Sequence, residues 1–419
     1  MRTPLVITLA AVAVVTGTAS VATGRPAAPP VACADDNVGL VLPDGFCATL
    51  FAEGLSQPRH GVVAPGGELL VNSRAGGGIV MLKDADGDGR AEISRKIADA
   101  NGTGVALGAD ALYATAGNAI IRYPLRAGTI EVAGPADTIV RDLPMGGHSA
   151  HNFVLDGRTL YVNVGSRTNS CQEKDRQTES RGVDPCVELE GRAGIWAFDA
   201  TKTNQTVTPA TRYATGIRNA VAMTRNPKDG SLWAMQHGRD QLAQNWGRLF
   251  DNTFSAENPG EELLQVRKGD DFGWPYCFSL TAEKKKVLAP EYGGDGKEVG
   301  RCAQKKAAVY LFPGHWAPNA VMFYNGTQFP AAYRNGVFVA FHGSWNRAPL
   351  PQAGFQVAFL PLNGTSAAGA HQTFADGFVK TGAGARQARP TGLAQGTDGS
   401  LYVMDDAGGR IFRIAYRGN

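Results

Sequence analysis

The 419-residue chain has few charged residues and no block of charge of one sign. Asp, Glu, Lys and Arg make up 19% of it, below the roughly 25% of an average soluble domain. Its 41 basic residues are scattered among 38 acidic ones, for a net charge of +3. A chain without a basic stripe cannot neutralise a run of phosphates, so nucleic acid is not an expected partner.

The sequence also lacks an apolar run of the ~20 residues that a membrane-spanning helix needs. At the N-terminus, Arg2 precedes a shorter apolar stretch over residues 4–15, and small residues follow. That order is typical of a secretory signal with small-x-small cleavage options. We therefore predict a signal peptide over residues 1–22, an Ala/Pro-rich linker over residues 23–32 and an exported protein, periplasmic or secreted.

Cysteine is scarce, and its spacing excludes two common uses. The six cysteines form no Cys-x-x-Cys-His haem motif and no Cys/His zinc spacing. They lie in close pairs, a pattern typical of local disulfides in an oxidising compartment. Connectivity does not follow from sequence alone, and a lipid anchor on Cys33 is an alternative. The expected pairs are Cys33 with Cys47, Cys171 with Cys186, and Cys277 with Cys302.

Glycine, in contrast, is abundant, with 53 residues in the chain, and this predicts many tight turns. Between the turns one unit recurs: an apolar strand start, a polar turn, an alternating aromatic strand and a further strand. We count six copies, from residue 61 to residue 414. Period-2 alternation without intervening helical segments favours a closed radial array. The prediction is an all-β, six-bladed β-propeller over residues 33–419, with a pair of β-sandwiches as the alternative.

The spacing of the copies is uneven. It lengthens after Gly165 and again between Gly238 and Pro318, which places insertions in particular inter-strand loops. Loops of that size in a compact fold tend to carry function.

An acidic motif over residues 84–89 alternates Asp and Gly with the oxygen-ligand spacing of a calcium loop. An EF-hand needs a bidentate Glu where this chain has Arg95, so the motif is not an EF-hand. A weak surface calcium site and a plain turn between strands both remain open.

His148 is the first candidate for chemistry. It follows two flexible glycines at the entrance to the third copy, where a propeller loop meets the central axis. A lone histidine is usually structural, but a neutral imidazole at such a position is also the commonest proton acceptor at physiological pH.

Further polar groups stand at the entrances of the later copies. Gly238 permits unusual backbone geometry and exposes carbonyl groups that could bind a hard cation. Cations and an aromatic plane gathered at one channel end would suit a flat polyanion. The candidates are Arg218, Asn219, Gly238, Arg239, His342, Trp345, Arg347 and Arg389.

These segments, together with the run from Lys268 to Pro275, resemble the soluble pyrroloquinoline quinone (PQQ)-dependent sugar dehydrogenases. The sorbosone dehydrogenase and soluble aldose dehydrogenase branches look closest. The resemblance covers nearly the whole chain after the signal and implies a six-bladed propeller with PQQ and Ca²⁺ at the top of the channel. It also implies oxidation of an aldose or sugar aldehyde, with electrons passed to an external acceptor.

The resemblance implies particular roles for the candidate residues. His148 matches the general base, Arg218 the cation near the quinone oxygens, and Arg389 a cation on the cofactor carboxylates. Gly238 and Arg239 match the positions whose backbone carbonyls hold calcium. The remaining residues implied in cofactor binding are Asn219, His342, Trp345 and Arg347.

Two positions depart from the glucose dehydrogenase pattern. Ser166 stands where that branch has an Asp near the base, and Ser344 stands near its cofactor-binding Lys. Two other functions remain as alternatives, a calcium-dependent lactonase and a non-enzymatic glycan-binding propeller. The many Arg residues at the entrances favour an anionic cofactor over a lactonase, which usually holds calcium with carboxylates.

Overall fold

The computed structural model describes Met1, residues 33–378 and residues 388–418. The predicted signal peptide lies outside the described residues apart from Met1, and so does the linker. The chain divides into the units Met1–Pro30 and Val31–Asn419, and the second contains the strands. Its described residues form six sheets of four or five strands and one separate hairpin. The predicted all-β, six-bladed propeller is confirmed, and the sandwich alternative is wrong.

Blades 1 to 3 follow one another along the chain after a first strand, β1 (Phe46–Ala52), that belongs to blade 6. Each of these blades has four antiparallel strands, and its first strand is the innermost, because it contacts the first strands of the neighbouring blades. The strands are, in blade 1, β2 (Pro58–Val63), β3 (Leu69–Ser73), β4 (Gly78–Lys83) and β5 (Ile93–Ala98); in blade 2, β6 (Val105–Leu107), β7 (Ala111–Ala116), β8 (Ala119–Pro124) and β9 (Asp137–Val140); and in blade 3, β10 (Phe153–Asp156), β11 (Thr159–Val164), β12 (Gly194–Asp199) and β13 (Arg212–Thr215).

Blades 4 to 6 carry additions to this plan. A hairpin is inserted before the last strand of blade 4, and blade 5 has two short outer strands. The strands are, in blade 4, β14 (Ala222–Arg225), β15 (Leu232–Gln236), β16 (Glu261–Val266), the hairpin β17 (Cys277–Leu280) and β18 (Lys285–Leu288), and β19 (Tyr310–Phe312); in blade 5, β20 (Pro318–Phe323), β21 (Gly336–Phe341), β22 (Gln356–Asn363), β23 (Ser366–Ala367) and β24 (Gln372–Ala375); and in blade 6, β25 (Pro390–Gln395), β26 (Leu401–Asp405) and β27 (Arg410–Tyr416).

The ring closes between the two ends of the domain. Strand β1 completes blade 6 by pairing antiparallel with β27, with Ala48 opposite Ile414. The first strands of neighbouring blades lie side by side all the way round, including β2 beside β25. Radial closure leaves only short, protected sheet edges.

The core is divided among the contacts between blades. Each of the six contacts between neighbouring blades has its own cluster of buried apolar side chains in the described part of the chain. Trp196, for example, is fully buried between blades 2 and 3, and Trp233 between blades 4 and 5. Successive side chains of a strand point to opposite faces of its sheet. Each blade therefore packs one set of side chains against the preceding blade and the other set against the following blade.

One face of the propeller carries the long loops. Because the strands alternate in direction, the loop entering each first strand and the loop between the second and third strands lie on the same face, which we call the site face. Residues 165–193 in blade 3, 237–260 in blade 4 and 342–355 in blade 5 form long loops of the second kind. The lengthening predicted after Gly165 and after Gly238 is confirmed.

Helices are short and confined to connections in the described residues. None of them has both the length and the apolar composition required to cross a membrane. They are α1 (Leu242–Trp246), α2 (Asn252–Glu257) and the 3₁₀ turns Asn37–Gly39, Val187–Glu190, Pro209–Thr211, Pro290–Tyr292, Gly300–Gln304 and Ala331–Tyr333.

All three predicted disulfides are present. They join Cys33 to Cys47, Cys171 to Cys186 and Cys277 to Cys302, so the lipid anchor on Cys33 is not supported. The second disulfide cross-links the long loop of blade 3. The third connects strand β17 of the inserted hairpin in blade 4 with the 3₁₀ turn Gly300–Gln304.

Candidate functional site

A cavity of about 270 Å³ opens on the site face, where loops of blades 3, 4 and 5 meet. Small-molecule sites occupy roughly 300–1,000 Å³, so this one is compact. Four of the predicted site residues line it: His148, Arg218, Gly238 and Trp345. Six further polar residues for which no role was predicted also line it: Arg176, His237, Asp240, Glu261, His315 and Asn346.

Three clefts elsewhere on the described surface are larger, at about 500, 570 and 650 Å³. Each of them lies where two neighbouring blades meet, and no histidine lines any of them. The convergence of imidazole, guanidinium and carboxyl groups therefore distinguishes the smaller cavity as the candidate site.

His148 is held in one orientation by a neighbouring backbone carbonyl. Its Nδ1 lies 3.0 Å from both the carbonyl oxygen and the Oγ of Ser166. A carbonyl only accepts, so Nδ1 carries the proton and Nε2 has the free lone pair. Burial and the charge of Arg218 lower the pKa of His148 to about 3. The ring is therefore neutral throughout the physiological range, with an unprotonated Nε2.

Ser166 supports His148 mainly through its backbone. Its hydroxyl donates to the Thr168 carbonyl at 2.7 Å, and its backbone N–H donates to the Arg218 carbonyl at 2.7 Å. The Ser166 backbone thus connects the imidazole with the guanidinium-bearing segment. Every residue except proline has the same backbone N–H and C=O groups, so this role of position 166 cannot be predicted from its side chain.

Arg218 is buried, and four of the five N–H donors of its guanidinium group contact the cavity wall. Its Nη2 donates to Asp240 Oδ2 at 2.9 Å, its Nη1 to the Gly238 carbonyl at 2.9 Å, and its Nε to the Asn169 carbonyl at 3.1 Å. Arg218 and Arg176 hold the pKa of Asp240 well below its usual range, against the opposing effect of burial. A charge-assisted pair with this many contacts fixes the guanidinium rigidly.

Glu261 links two loops beneath the cavity. One carboxylate oxygen accepts from Gly238 N–H at 2.8 Å and the other from Ala317 N–H at 3.1 Å. Burial raises the pKa of Glu261 to about 7, although both N–H groups act in the opposite direction. A side chain at Gly238 would meet the Pro259 ring at 2.7 Å, so the packing of these two residues within the blade 4 loop favours glycine at position 238.

Two neighbouring residues form the outer wall. Trp345 is 63% exposed and presents a flat indole at the mouth of the cavity. Asn346 donates to Asp240 Oδ1 at 2.9 Å, while its own Oδ1 is buried without a hydrogen-bond partner among the described residues. A buried polar oxygen of this kind is a candidate contact for a ligand.

Arg389 does not line the cavity but supports the loop that does. Its Nε and Nη2 donate to the carbonyls of His342 and Gly343, both at 2.9 Å. The His342 imidazole in turn lies 2.8 Å from Asp406, which also pairs with Arg59 at 2.5 Å. These groups lie on the site face, at the side of the channel formed by blades 5 and 6. Of them, His342 is three residues before Trp345 in the chain.

Asn219 and Arg347 are likewise engaged by protein atoms outside the cavity wall. Asn219 Oδ1 accepts from Asn163 at 3.2 Å. The Arg347 Nη1 donates to the carbonyls of Ala256 and Gly314, at 2.6 and 2.8 Å. In this arrangement Arg347 ties the loop of blade 5 to that of blade 4.

Arg239 has a buried ion pair of its own. Its Nη1 contacts Glu291, which also accepts from Trp246 Nε1 at 2.9 Å. The Arg239 Nε and Nη2 are buried without partners among the described residues. Its side chain therefore anchors the turn whose backbone carries the Gly238 carbonyl.

The acidic motif of blade 1 lies apart from these residues. Oxygen atoms of Asp84, Asp86, Asp88 and Glu92 come within 4.8 Å of one another, and Asp84 accepts from two backbone N–H groups of the same turn. Such contacts suit a plain turn equally well, so both interpretations of the motif stay open.

The fold and the cavity define the class of protein: a closed six-bladed propeller with a polar cavity on one face. The chain belongs to the TrAA12-like family, whose model matches residues 40–417.

Named relatives agree with this assignment. A pyrroloquinoline quinone-dependent sugar dehydrogenase of Hypocrea jecorina is 26% identical, over 91% of each chain. A calcium structure of the Trichoderma reesei AA12 enzyme superposes with a TM-score of 0.75 at 20% identity, covering 90% of this chain and 97% of that one. The holo PQQ domain of the Coprinopsis cinerea pyranose dehydrogenase gives 0.73 at 20% identity, covering 93% and 99%.

Other relatives are matched only in part. The aligned region spans 48% of an uncharacterised protein of Borreliella burgdorferi and 34% of the full-length Coprinopsis pyranose dehydrogenase. Together the comparisons confirm the resemblance predicted from the sequence and the predicted enzyme class, because the relatives named by activity are PQQ-dependent oxidoreductases.

Proposed function

We propose that this protein is a PQQ-dependent dehydrogenase that oxidises an aldose or a sugar aldehyde, such as a sorbosone-like compound, and passes the electrons to an external acceptor. The observation that carries the proposal is the placement of the His148 imidazole and the buried Arg218 guanidinium on the wall of one cavity. The activities named for the relatives support it.

The cavity suits a flat anion. Two guanidinium groups, of Arg176 and Arg218, face one ionised carboxylate, that of Asp240, while the raised pKa of Glu261 limits its negative charge. Trp345 adds a planar apolar wall at the mouth. PQQ has three carboxylates and a planar quinone, and guanidinium groups are the preferred partners of carboxylates. When bound, PQQ supplies a two-electron acceptor for the hydride of the sugar carbon.

A hard divalent cation such as Ca²⁺ also suits the wall near Gly238. The Gly238 carbonyl uses one lone pair for Arg218 and keeps a second. Glu261 is a buried carboxyl group that accepts only from N–H groups, and Asn346 Oδ1 has no partner among the described residues. Oxygen ligands of these types are those that Ca²⁺ prefers. We propose the carbonyls of Gly238 and Arg239 as ligands, and the ion would act as a Lewis acid.

The proposed chemistry of the chain itself is a proton transfer. His148 Nε2, with its free lone pair, accepts the proton of the sugar hydroxyl as the hydride leaves the same carbon. Arg218 would stabilise negative charge on the quinone oxygens of the hydride acceptor. The Ser166 carbonyl holds the imidazole in the tautomer that this step needs, because it accepts from Nδ1–H.

Reconstitution tests the proposal. Purified apoprotein is supplied with PQQ and Ca²⁺, then with a panel of aldoses and sugar aldehydes, and dye reduction is followed. Sugar-dependent dye reduction that needs PQQ is the expected result. Lactone hydrolysis without PQQ would indicate the lactonase, and glycan binding without either reaction would indicate a binding propeller.

Arg389 provides a residue-level prediction. Replacing it with Ala removes two hydrogen bonds to the loop of blade 5 and one positive charge from the channel mouth, so PQQ affinity is expected to fall ~10–100-fold. The dissociation constant is measured by quenching of tryptophan fluorescence. Arg74→Ala, at an exposed arginine on the same face, is the control and should retain affinity. Unchanged PQQ affinity in Arg389→Ala would show that Arg389 does not contribute to cofactor binding.

Export is also proposed. Three disulfides among the described residues are typical of an oxidising compartment, and the predicted signal over residues 1–22 supports a periplasmic or secreted protein. Detection of the mature chain in the periplasm or medium, with cleavage near residue 22, is the expected result.

A further inference from the structure

A buried lysine lies behind the cavity wall. Lys286 is carried by strand β18 of the inserted hairpin, and its side chain is 8% exposed. Its ammonium group contacts both oxygens of Glu262, at 2.9 and 3.2 Å, and donates to the Phe272 carbonyl at 2.7 Å. All three donor directions of the ammonium are thus used inside the protein.

The contacts continue from Glu262 to the site. Gln236 Nε2 donates to Glu262 Oε2 at 2.9 Å, and Gln236 Oε1 accepts from the backbone N–H of Arg218 at 2.6 Å. A carboxylate can only accept and an N–H can only donate, so these two partners fix which way the Gln236 amide points. The chain of contacts therefore runs from Lys286 to the backbone of Arg218.

Lys286 balances the charge of Glu262, to which the Ser279 hydroxyl also donates. The Glu262 side chain is 3% exposed, and Lys286 is the one cation that the described residues place in an ion pair with it. A buried carboxylate without its cation is strongly disfavoured and becomes protonated or moves. If the Glu262 side chain moved away from its lysine-bound position, it would no longer accept from Gln236, and the Gln236 amide would lose its fixed direction.

We propose that Lys286 is a positioning residue for the candidate site, acting through Glu262 and Gln236 on the backbone of Arg218. The inserted hairpin, closed by the disulfide from Cys277 to Cys302, then stabilises the cavity wall through Lys286. The part of this inference that concerns cofactor binding rests on the proposed function. The part that concerns the order of the Arg218 backbone does not.

Lys286→Met is the test, with Lys284→Met as its control. Lys284 is an exposed lysine near the turn of the same hairpin and makes no ion pair among the described residues. Amide hydrogen exchange of the segment containing Arg218 is expected to become about tenfold faster or more in Lys286→Met and to stay unchanged in Lys284→Met. PQQ affinity is expected to fall about tenfold in the first variant only.

Two further variants separate positioning from loss of folding. Lys286→Arg keeps the charge and should restore both readouts toward the wild-type values. The pair Lys286→Met with Glu262→Gln removes the unpaired charge, so it should recover thermal stability while exchange at Arg218 stays faster than in the wild type. A stably folded Lys286→Met variant with wild-type exchange at Arg218 would overturn the inference.

The exchange readout also separates this inference from the proposed function. If the wild-type protein binds no PQQ, the proposed function fails, and exchange at Arg218 in the four variants still decides whether Lys286 positions that backbone.

Discussion

Replacing His148 with Gln is expected to lower turnover of the PQQ-loaded enzyme by ~10²–10⁴-fold, the usual contribution of a general base. Binding of PQQ should change little, because the carboxylates of the cofactor are assigned to guanidinium groups and not to the imidazole. Glutamine has about the right reach but offers no basic nitrogen. The measurements are steady-state kinetics with the best sugar found and a fluorescence titration with PQQ.

His371→Gln is the matched control for this variant. His371 is half-buried, lies 2.9 Å from the Tyr310 hydroxyl and does not line the cavity. It should retain wild-type turnover. Near-normal turnover in His148→Gln, with PQQ bound, would remove the base from the proposed mechanism and leave the cavity as a binding site only.

Acidification is expected to destabilise the fold strongly between pH 6.5 and 4.5. Burial lowers the pKa of His60, His151 and His237 to about 4 and that of His148 to about 3, from 6.5 in the unfolded chain. In this window the unfolded state binds more protons, so the free energy of unfolding rises with pH and falls on acidification. Glu261, with its raised pKa, acts in the opposite direction.

The net effect can be estimated. Four histidines that gain a proton on unfolding, against one carboxyl that loses one, give an uptake of about three protons by these five groups near pH 5.5 and a loss on the order of 6 kcal/mol from them across the window. That is comparable with the whole stability of many domains. Urea unfolding at pH 7, 6 and 5 measures the slope.

A histidine variant checks the origin of this acid sensitivity. His60 contacts the Asn319 carbonyl across the channel at 2.8 Å, and His60→Gln keeps a donor there without a titrating ring. The slope of stability against pH should fall by about 1.4 kcal/mol per pH unit. A wild-type slope near zero between pH 6.5 and 4.5 would contradict the whole expectation.

The architecture could be predicted because it depends on local patterns. Alternating strands and glycine turns repeat along the chain, so the six blades, the long loops after Gly165 and Gly238, and the close cysteine pairs can be read in sequence order. Closure of blade 6 by β1 joins residues more than 350 positions apart, as Ala48 and Ile414 show. No local pattern indicates such a pairing.

The site could be predicted only in outline, since its charges are balanced over long distances in sequence. Arg218 and His148 stand at strand entrances, where the pattern draws attention to them. Asp240 and Glu261 lie in the blade 4 segments, and their relation to Arg218 appears only when the loops of blade 4 fold over one another. The direction of a long side chain, as with Arg389, is decided by packing and not by position in the repeat.

The most direct test of the account is a crystal structure of the chain grown with PQQ and Ca²⁺. Electron density is expected for a planar cofactor in the cavity between His148, Arg218 and Trp345, with an ion on the Gly238 carbonyl. Cofactor density at another place on the molecule, with this cavity filled only by water, would contradict it.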